Sequence, residues 1–177
     1  MKKLLGVLTI LLLAASFSYA QVTSVPTTTL NVTVGTEAAI VVGSTSTFTA
    51  GSGSFANWTA STPFTYYIRT TTSGGSGNIQ LKITSDFSPS GGPSVANSGS
   101  TGDTLTYTCS VQSPGSACSG TQTASTSTPT PVATFGAAAT SAKGGNASNS
   151  VAWTLVNDPA YAQGSYVATA TFTISAS

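Results

Sequence analysis

Histidine is absent from the 177-residue chain, and charged residues make up only 5% of it. Without histidine the commonest general base is missing, and so is any serine–histidine pair. Beyond the first 20 residues the chain has only three bases, Arg69, Lys82 and Lys143. They are too few to form the basic surface that nucleic acid or an anionic membrane requires. We therefore predict a protein that is not an enzyme and does not bind nucleic acid.

Long hydrophobic runs are also missing after the start of the chain. There, Met1-Lys2-Lys3 precede the apolar run Leu4–Ala15, and Ser18-Tyr19-Ala20 form a small-x-small cleavage site. This is the three-part pattern of a secretory signal, and the run is shorter than the ~20 residues of a membrane span. We predict that residues 1–20 are a cleaved signal peptide of bacterial type. The mature chain is then secreted to the cell surface or the periplasm, without membrane insertion.

Cysteine occurs only twice, as Cys109 and Cys118 in "CSVQSPGSAC". The pair lacks both the CxxC spacing and the histidine partners of a redox or metal site. In an exported chain such a pair predicts an intramolecular disulfide. Closing this short loop should stabilise the fold by roughly 2.5 to 3 kcal/mol. The sequence predicts no cofactor.

Threonine, serine and glycine dominate the polar part of the remaining chain, its apolar residues are mostly Val, Ala, Phe, Tyr and Ile, and the surface helix formers Glu, Lys and Arg are scarce. Short alternating or apolar segments recur between Gly, Ser and Pro clusters. They predict an all-β fold, an immunoglobulin-like two-sheet β-sandwich of seven to nine strands over residues 35–177. We expect no helix longer than two turns. The segments "PFTYYIRTT" and "NIQLKIT", joined by "SGGSG", predict a β-hairpin.

Acidic side chains are the remaining candidates for catalysis or metal binding. Asp86, Asp103 and Asp158 lie in the turn-like contexts "SDFSPSGG", "STGDT" and "NDPAY". Aspartate in such places usually caps its own turn. A calcium site at one end of the sandwich, with Asn157 as a further ligand, is the alternative. Because no dedicated calcium-loop spacing is present, we predict no metal site.

Exposed aromatic side chains would point to carbohydrate binding, because sugar faces stack on aromatic rings. Trp153 lies in the middle of an alternating segment and is predicted to be core, while Trp58 fits either the core or an exposed site. Tyr66 and Tyr67 are adjacent, so they point to opposite faces of a strand and one is expected to be exposed. Trp58, Tyr66 and Tyr67 are the candidate ligand-binding residues of an alternative function, a secreted carbohydrate-binding or adhesin-like sandwich.

The final segment, "GSYVATATFTISAS", is the most regular strand in the sequence. From Val167 to Ser177 it contains none of the charges or prolines that protect the edge of a sheet. One interpretation is a complete sandwich in which this strand is central. The other is that another chain covers the strand by β-strand addition.

This segment resembles the last strand of the chaperone–usher pilus subunits of bacteria. Those chains have a glycine fourteen residues from the end and apolar residues at the fourth, sixth and eighth places from the end. The matching residues are Gly164, Ile174, Phe172 and Ala170. The resemblance implies an immunoglobulin-like sandwich that lacks its last strand. A periplasmic chaperone, and then the N-terminal extension of the next subunit, would fill its groove.

These observations lead to one functional hypothesis, a non-enzymatic structural subunit of the cell surface. It would associate with itself or with other surface subunits by strand pairing. The proposed donor is Gln21–Val34, an N-terminal extension or first strand in which Leu30, Val32 and Val34 alternate. The proposed acceptor edge is the terminal strand, Ser165–Ser177.

Overall fold

Ten β-strands make up the fold in the computed structural model, which describes residues 28–96 and 104–177. They are β1 (Glu37–Val42), β2 (Thr49–Ala50), β3 (Trp58–Arg69), β4 (Gly77–Ser88), β5 (Leu105–Ser110), β6 (Ser116–Ala117), β7 (Gln122–Thr123), β8 (Thr130–Phe135), β9 (Asn146–Leu155) and β10 (Val167–Ala176). The all-β prediction is confirmed, and the described residues form no helix. The strand count exceeds the predicted range because β2, β6 and β7 have two residues each, too few to show alternation.

Two antiparallel sheets contain these strands. One has six strands in the order β1-β3-β9-β5-β7, with β2 also paired to β3. The other has four strands in the order β10-β4-β8-β6. Because β9 pairs with one side of β3, both β1 and β2 pair with its other side, β2 near the start of β3 and β1 near its end. No helix of the described part is long and apolar enough to cross a membrane.

The predicted hairpin between β3 and β4 is wrong, because the two strands belong to different sheets. Residues 70–76 carry the chain from one sheet to the other instead. Both strands alternate because each has one face in the core. On β3 the buried residues are Phe64, Tyr66 and Ile68, and on β4 they are Ile79, Leu81 and Ile83. Alternation therefore indicated the inner face of each strand but not its partner.

The core lies between the inner faces of the two sheets. Besides the residues of β3 and β4, it contains Val132 and Phe135 on β8 and Val151, Trp153 and Leu155 on β9. Trp153 is buried as predicted and packs at 57° to the ring of Tyr107, with 5.3 Å between the ring centroids. Burial of each such side chain contributes about 1.5 to 3 kcal/mol.

The predicted disulfide between Cys109 and Cys118 is confirmed, with 5.6 Å between the two Cα atoms. Cys109 lies on β5 in the six-stranded sheet. Cys118 follows β6 in the four-stranded sheet, and its N–H donates to the Val132 carbonyl on β8 at 2.9 Å. The bond therefore joins the two sheets and closes one flank of the sandwich covalently. A disulfide is consistent with an oxidising location outside the cytoplasm.

The compact unit that contains all of these strands is Val34–Ser177. Residues 28–33 belong to the preceding unit, where they are exposed and lie outside any strand. The predicted signal peptide, residues 1–20, lies outside the described residues, as do Asp103 and the first part of the predicted donor segment.

Candidate functional site

The flank opposite the disulfide is bordered by two sheet edges. On one side, β1 and β2 pair with β3, and residues 43–48 connect them. On the other side is β10, which among the described strands pairs with β4 alone. The edge strands β1 and β10 approach each other across this flank, although they belong to different sheets. The terminal strand therefore lies at the edge of its sheet and not at its centre.

The inward side chains of β10 are only half-buried. Ala170, Phe172 and Ile174 pack against the core, yet each keeps part of its surface accessible. On the neighbouring strand β4, by contrast, Ile79 and Leu81 are completely buried. The core is thus covered beneath β4 and incompletely covered beneath β10.

An open groove of about 760 Å³ lies between these two edges. Its rims are residues 43–47 on the β1–β2 side and residues 164–169 on the β10 side. The apolar and aromatic lining residues are Val42, Phe48, Trp58, Ile83, Phe87, Leu105, Trp153, Leu155, Tyr166 and Phe172. The volume is within the range of about 300 to 1,000 Å³ that is usual for ligand clefts. Buried core side chains therefore form the floor of the groove, and the partly buried Val42, Phe48, Trp58 and Phe172 provide its accessible apolar surface.

One polar cluster holds the β1–β2 rim of the groove in place. The indole N–H of Trp153 donates to Thr62 Oγ1 at 2.7 Å, and Thr62 Oγ1 lies 2.6 Å from Ser46 Oγ. Ser46 Oγ in turn donates to the Ser61 carbonyl at 3.2 Å. Because that donation uses the serine proton, the hydroxyl of Thr62 donates to Ser46. The chain of hydrogen bonds satisfies the buried indole and ties the rim to β3.

The residues predicted for strand pairing fall into two groups. Gly164, Ala170 and Phe172 line the groove, and Ile174 lies farther along the same face of β10. The proposed donor residues are highly exposed: Leu30 is 89% exposed, Val32 86% and Val34 62%. Both the acceptor residues and the donor residues therefore have apolar surface available for a partner.

The sequence pattern did not predict the wall of the groove on the β1–β2 side, which residues 43–48 form. Residues 43–48, "GSTSTF", give no signal for a binding site, because a run of small hydroxyl residues is typical of any loop. Trp153 is predicted to be core and does lie there, but it also lines the groove, as does the buried Leu155. Only the pairing of β1 and β2 with the same strand places this wall opposite β10.

The aromatic residues of the carbohydrate-binding alternative do not form one site. Tyr66 is completely buried, and its hydroxyl donates to the Gln112 carbonyl at 2.6 Å, so it is not available as a surface platform. Tyr67 points to the outer face of the six-stranded sheet, next to Gly145. Trp58 alone lines the groove, where it is half-buried and stacks on Tyr161 with 6.1 Å between the ring centroids.

No protein-family model, curated protein or solved structure matches this chain.

Two of the candidate calcium ligands, Asp158 and Asn157, make hydrogen bonds to the main chain in the part that the structure describes. Asp158 accepts from the Ala160 N–H at 2.8 Å, and the Asn157 amide donates to the Ala56 carbonyl at 3.2 Å. Within residues 28–96 and 104–177, no three His, Cys, Asp or Glu side chains lie close enough to hold a metal ion.

Asp86 closes the loop that follows β4. Its carboxylate accepts hydrogen bonds from the N–H groups of Phe87, Val95 and Ala96 and from the hydroxyl of Ser94, at 2.7 to 3.0 Å. Partial burial raises the pKa of Asp86, but these four bonds to the charged form outweigh it and hold the pKa below its ordinary value. The charged carboxylate therefore stabilises this end of the sandwich.

We expect Asp86→Asn to lower the free energy of unfolding by about 1 to 2 kcal/mol at neutral pH, because an amide has only one accepting oxygen. Since the folded pKa is below the unfolded one, the carboxylate stabilises the fold above about pH 4, and this is lost as the pH falls through the folded value. Urea unfolding over a pH series from 7 down into the acid range measures both effects. Asp158→Asn is the matched control and should cost less. An Asp86→Asn difference that does not shrink in acid would contradict this assignment.

Proposed function

We propose that this chain is a non-enzymatic structural subunit of the bacterial cell surface that assembles by β-strand addition. The N-terminal arm, Gln21–Val34, of one copy would insert into the groove beside β10 of another. One observation carries the proposal: a groove that opens onto the core lies beside an edge strand, in a chain that also carries an exposed alternating apolar segment. In strand addition the main chain provides affinity and alternate side chains enter pockets.

The order of the strands supports this proposal. In a constant-type immunoglobulin domain, one sheet contains strands A, B, E and D and the other contains C, F and G. The order β1-β3-β9-β5 corresponds to A-B-E-D, and the pair β10-β4 corresponds to F-C. Strand G would then lie beside β10, where the groove is. This correspondence supports an immunoglobulin-like sandwich whose last strand another chain supplies, and β8 and β6, on the other side of β4, lie outside it.

The direction of the strands favours exchange between copies. Strands β1 and β10 run in opposite directions. Strand β1 is antiparallel to β3, and the chain reverses between β3 and β4, so β1 and β4 run in the same direction. Since β10 is antiparallel to β4, it runs opposite to β1. The arm leads directly into β1, so an arm that folded back beside its own β10 would run parallel to it. An arm from another copy can pair antiparallel, which is slightly more stable per residue. A periplasmic chaperone strand could occupy the same groove before assembly.

Truncation tests the proposal. We expect Gln21–Ser177 to form oligomers or filaments, whereas Gly35–Ser177 stays monomeric because it lacks the donor. Sedimentation velocity and electron microscopy measure assembly. Far-UV circular dichroism checks that the shorter chain, which keeps the entire core and the disulfide, is folded. If both chains are equally well-folded monomers, strand exchange is wrong.

The second candidate function is carbohydrate binding, which the half-buried Trp58–Tyr161 stack at the groove favours. A glycan array with the monomeric Gly35–Ser177 chain, compared with its Trp58→Ala variant, separates the two functions. Tight binding that depends on Trp58 would support a lectin-like role over assembly.

A further inference from the structure

Phe55 is a large apolar residue in the loop that joins β2 to β3. Its side chain is 60% exposed, and its φ of 54° lies in the left-handed region that favours glycine. A bulky residue in this region is a rare outlier that persists only where the surroundings impose it, and such outliers cluster at functional sites. An exposed ring on a strained backbone is therefore a candidate contact residue.

Three hydrogen bonds hold this loop. The Gly51 N–H donates to the Asn57 carbonyl at 3.1 Å, and the Ala56 N–H donates to the Gly53 carbonyl at 3.5 Å. The Asn157 amide, from the connection between β9 and β10, donates to the Ala56 carbonyl at 3.2 Å. Phe55 is thus presented on a fixed loop, and a rigid aromatic side chain loses little conformational entropy when it binds a partner.

The opposite end of the sandwich has an uncharged turn of small residues. Ala137 and Ala138 are exposed after β8, and the Ala138 N–H donates to the Thr71 carbonyl at 2.8 Å, just beyond the end of β3. This turn and the Phe55 loop therefore lie at the two ends of the same long strand, β3. A neighbouring aromatic ring could pack on the turn without displacing a charged group.

Strand direction brings these two ends together in the assembly. An arm that pairs antiparallel with β10 runs from the Ala176 end of that strand toward its Val167 end. The Val167 end of β10 and the Phe55 loop lie at the same end of the sandwich. Its last residue, Val34, leaves the groove there and leads into β1 of its own sandwich. Three residue steps, at most about 11 Å, separate Val34 from Glu37 at the start of β1. Since β1 starts at the Ala137–Ala138 end, that end of one copy faces the Phe55 end of the next.

We propose that Phe55 of one copy packs against the Ala137–Ala138 end of the next copy and anchors the junction between successive subunits. This inference rests on the proposed function. It adds a second contact outside the groove, made by residues that take no part in strand pairing. The arm connects two copies, and the Phe55 contact fixes their relative orientation.

The test uses the mature chain, Gln21–Ser177, with Phe55→Ser. Val41→Ser is the matched control, because Val41 is 61% exposed on the outer face of β1 and lies at neither end. Sedimentation velocity over a range of concentrations gives the concentration of half-assembly. We expect Phe55→Ser to raise it about tenfold, the loss typical of an anchor residue, and Val41→Ser to leave it unchanged. Hydrogen exchange of the β10 amides reports arm insertion in the same samples.

Assembled Phe55→Ser protein should keep its β10 amides as protected as those of the assembled wild type, because the arm is still inserted. An unchanged half-assembly concentration would overturn the junction and leave strand exchange standing. Loss of β10 protection in assembled Phe55→Ser protein would place its effect in the groove and also overturn the junction. If the wild type stays monomeric with unprotected β10 amides, the proposed function itself fails.

Discussion

Replacing Val32 with aspartate should abolish association of the mature chain. Val32 is the middle residue of the alternating trio, and its side chain would enter the groove between those of Leu30 and Val34. A carboxylate in an apolar groove without a partner must either lose its hydration or stay outside. Either outcome removes the central contact of the inserted strand. Sedimentation velocity should show only monomers at concentrations where the wild-type chain assembles.

Thr33→Asp is the matched control, because it places the same charge one residue away on the opposite face of the arm. In an inserted strand that face points to solvent, so assembly should persist with at most a small change in half-assembly concentration. Equal loss in both variants would mean that the arm acts through its charge or flexibility and not through an alternating face. Assembly by Val32→Asp would exclude Leu30–Val34 as the inserted segment.

Trp153→Ala should cause the largest loss of stability of any single substitution considered for this fold. The side chain is buried between Tyr107 and the groove, so its removal leaves a cavity, and Thr62 Oγ1 loses the hydrogen bond that it accepts from the indole. Large-to-small changes of this kind cost about 3 to 5 kcal/mol. Urea unfolding of the monomeric Gly35–Ser177 chain measures the loss without interference from assembly.

Thr62→Val separates the hydrogen bond from the packing. It keeps the volume at position 62 but leaves the indole N–H of Trp153 without its acceptor, which should cost about 1 to 3 kcal/mol. The same change removes one of the two hydrogen bonds of Ser46 Oγ, so the β1–β2 rim should exchange its amide hydrogens faster. A loss below about 1 kcal/mol in Trp153→Ala would contradict the assignment of this residue to the core.

Alternation predicted the strands whose two faces have different environments. On β9, the apolar residues Val151, Trp153 and Leu155 are buried, while the intervening residues face outward. The disulfide was predictable because two cysteines in a chain with a secretory signal pattern allow only one pairing. These features are local or nearly so, which is why the sequence alone reveals them.

Pairing between distant strands was not predictable in the same way. The Gly-rich segment between β3 and β4 fits a hairpin as well as a crossover, and only the distant partners of the two strands, which lie in different sheets, decide between them. For the same reason, the β10 wall of the groove was indicated by its own pattern, whereas Phe48 and residues 43–47 were not. Their position depends on the pairing of β2 with β3, which involves only two residues of β2.

The ion pair between Arg69 and Glu37, 2.6 Å apart and solvent-exposed on both sides, is the single one among the described residues. Such a pair contributes little to stability, so ionic strength has almost nothing to screen in this molecule. Encounter between copies would proceed without electrostatic steering, at the rates of about 10⁵ to 10⁶ M⁻¹s⁻¹ usual for uncharged surfaces. Excluded salts such as sulfate should strengthen assembly, and cooling should weaken it, because the inserted arm buries apolar side chains in addition to forming main-chain hydrogen bonds.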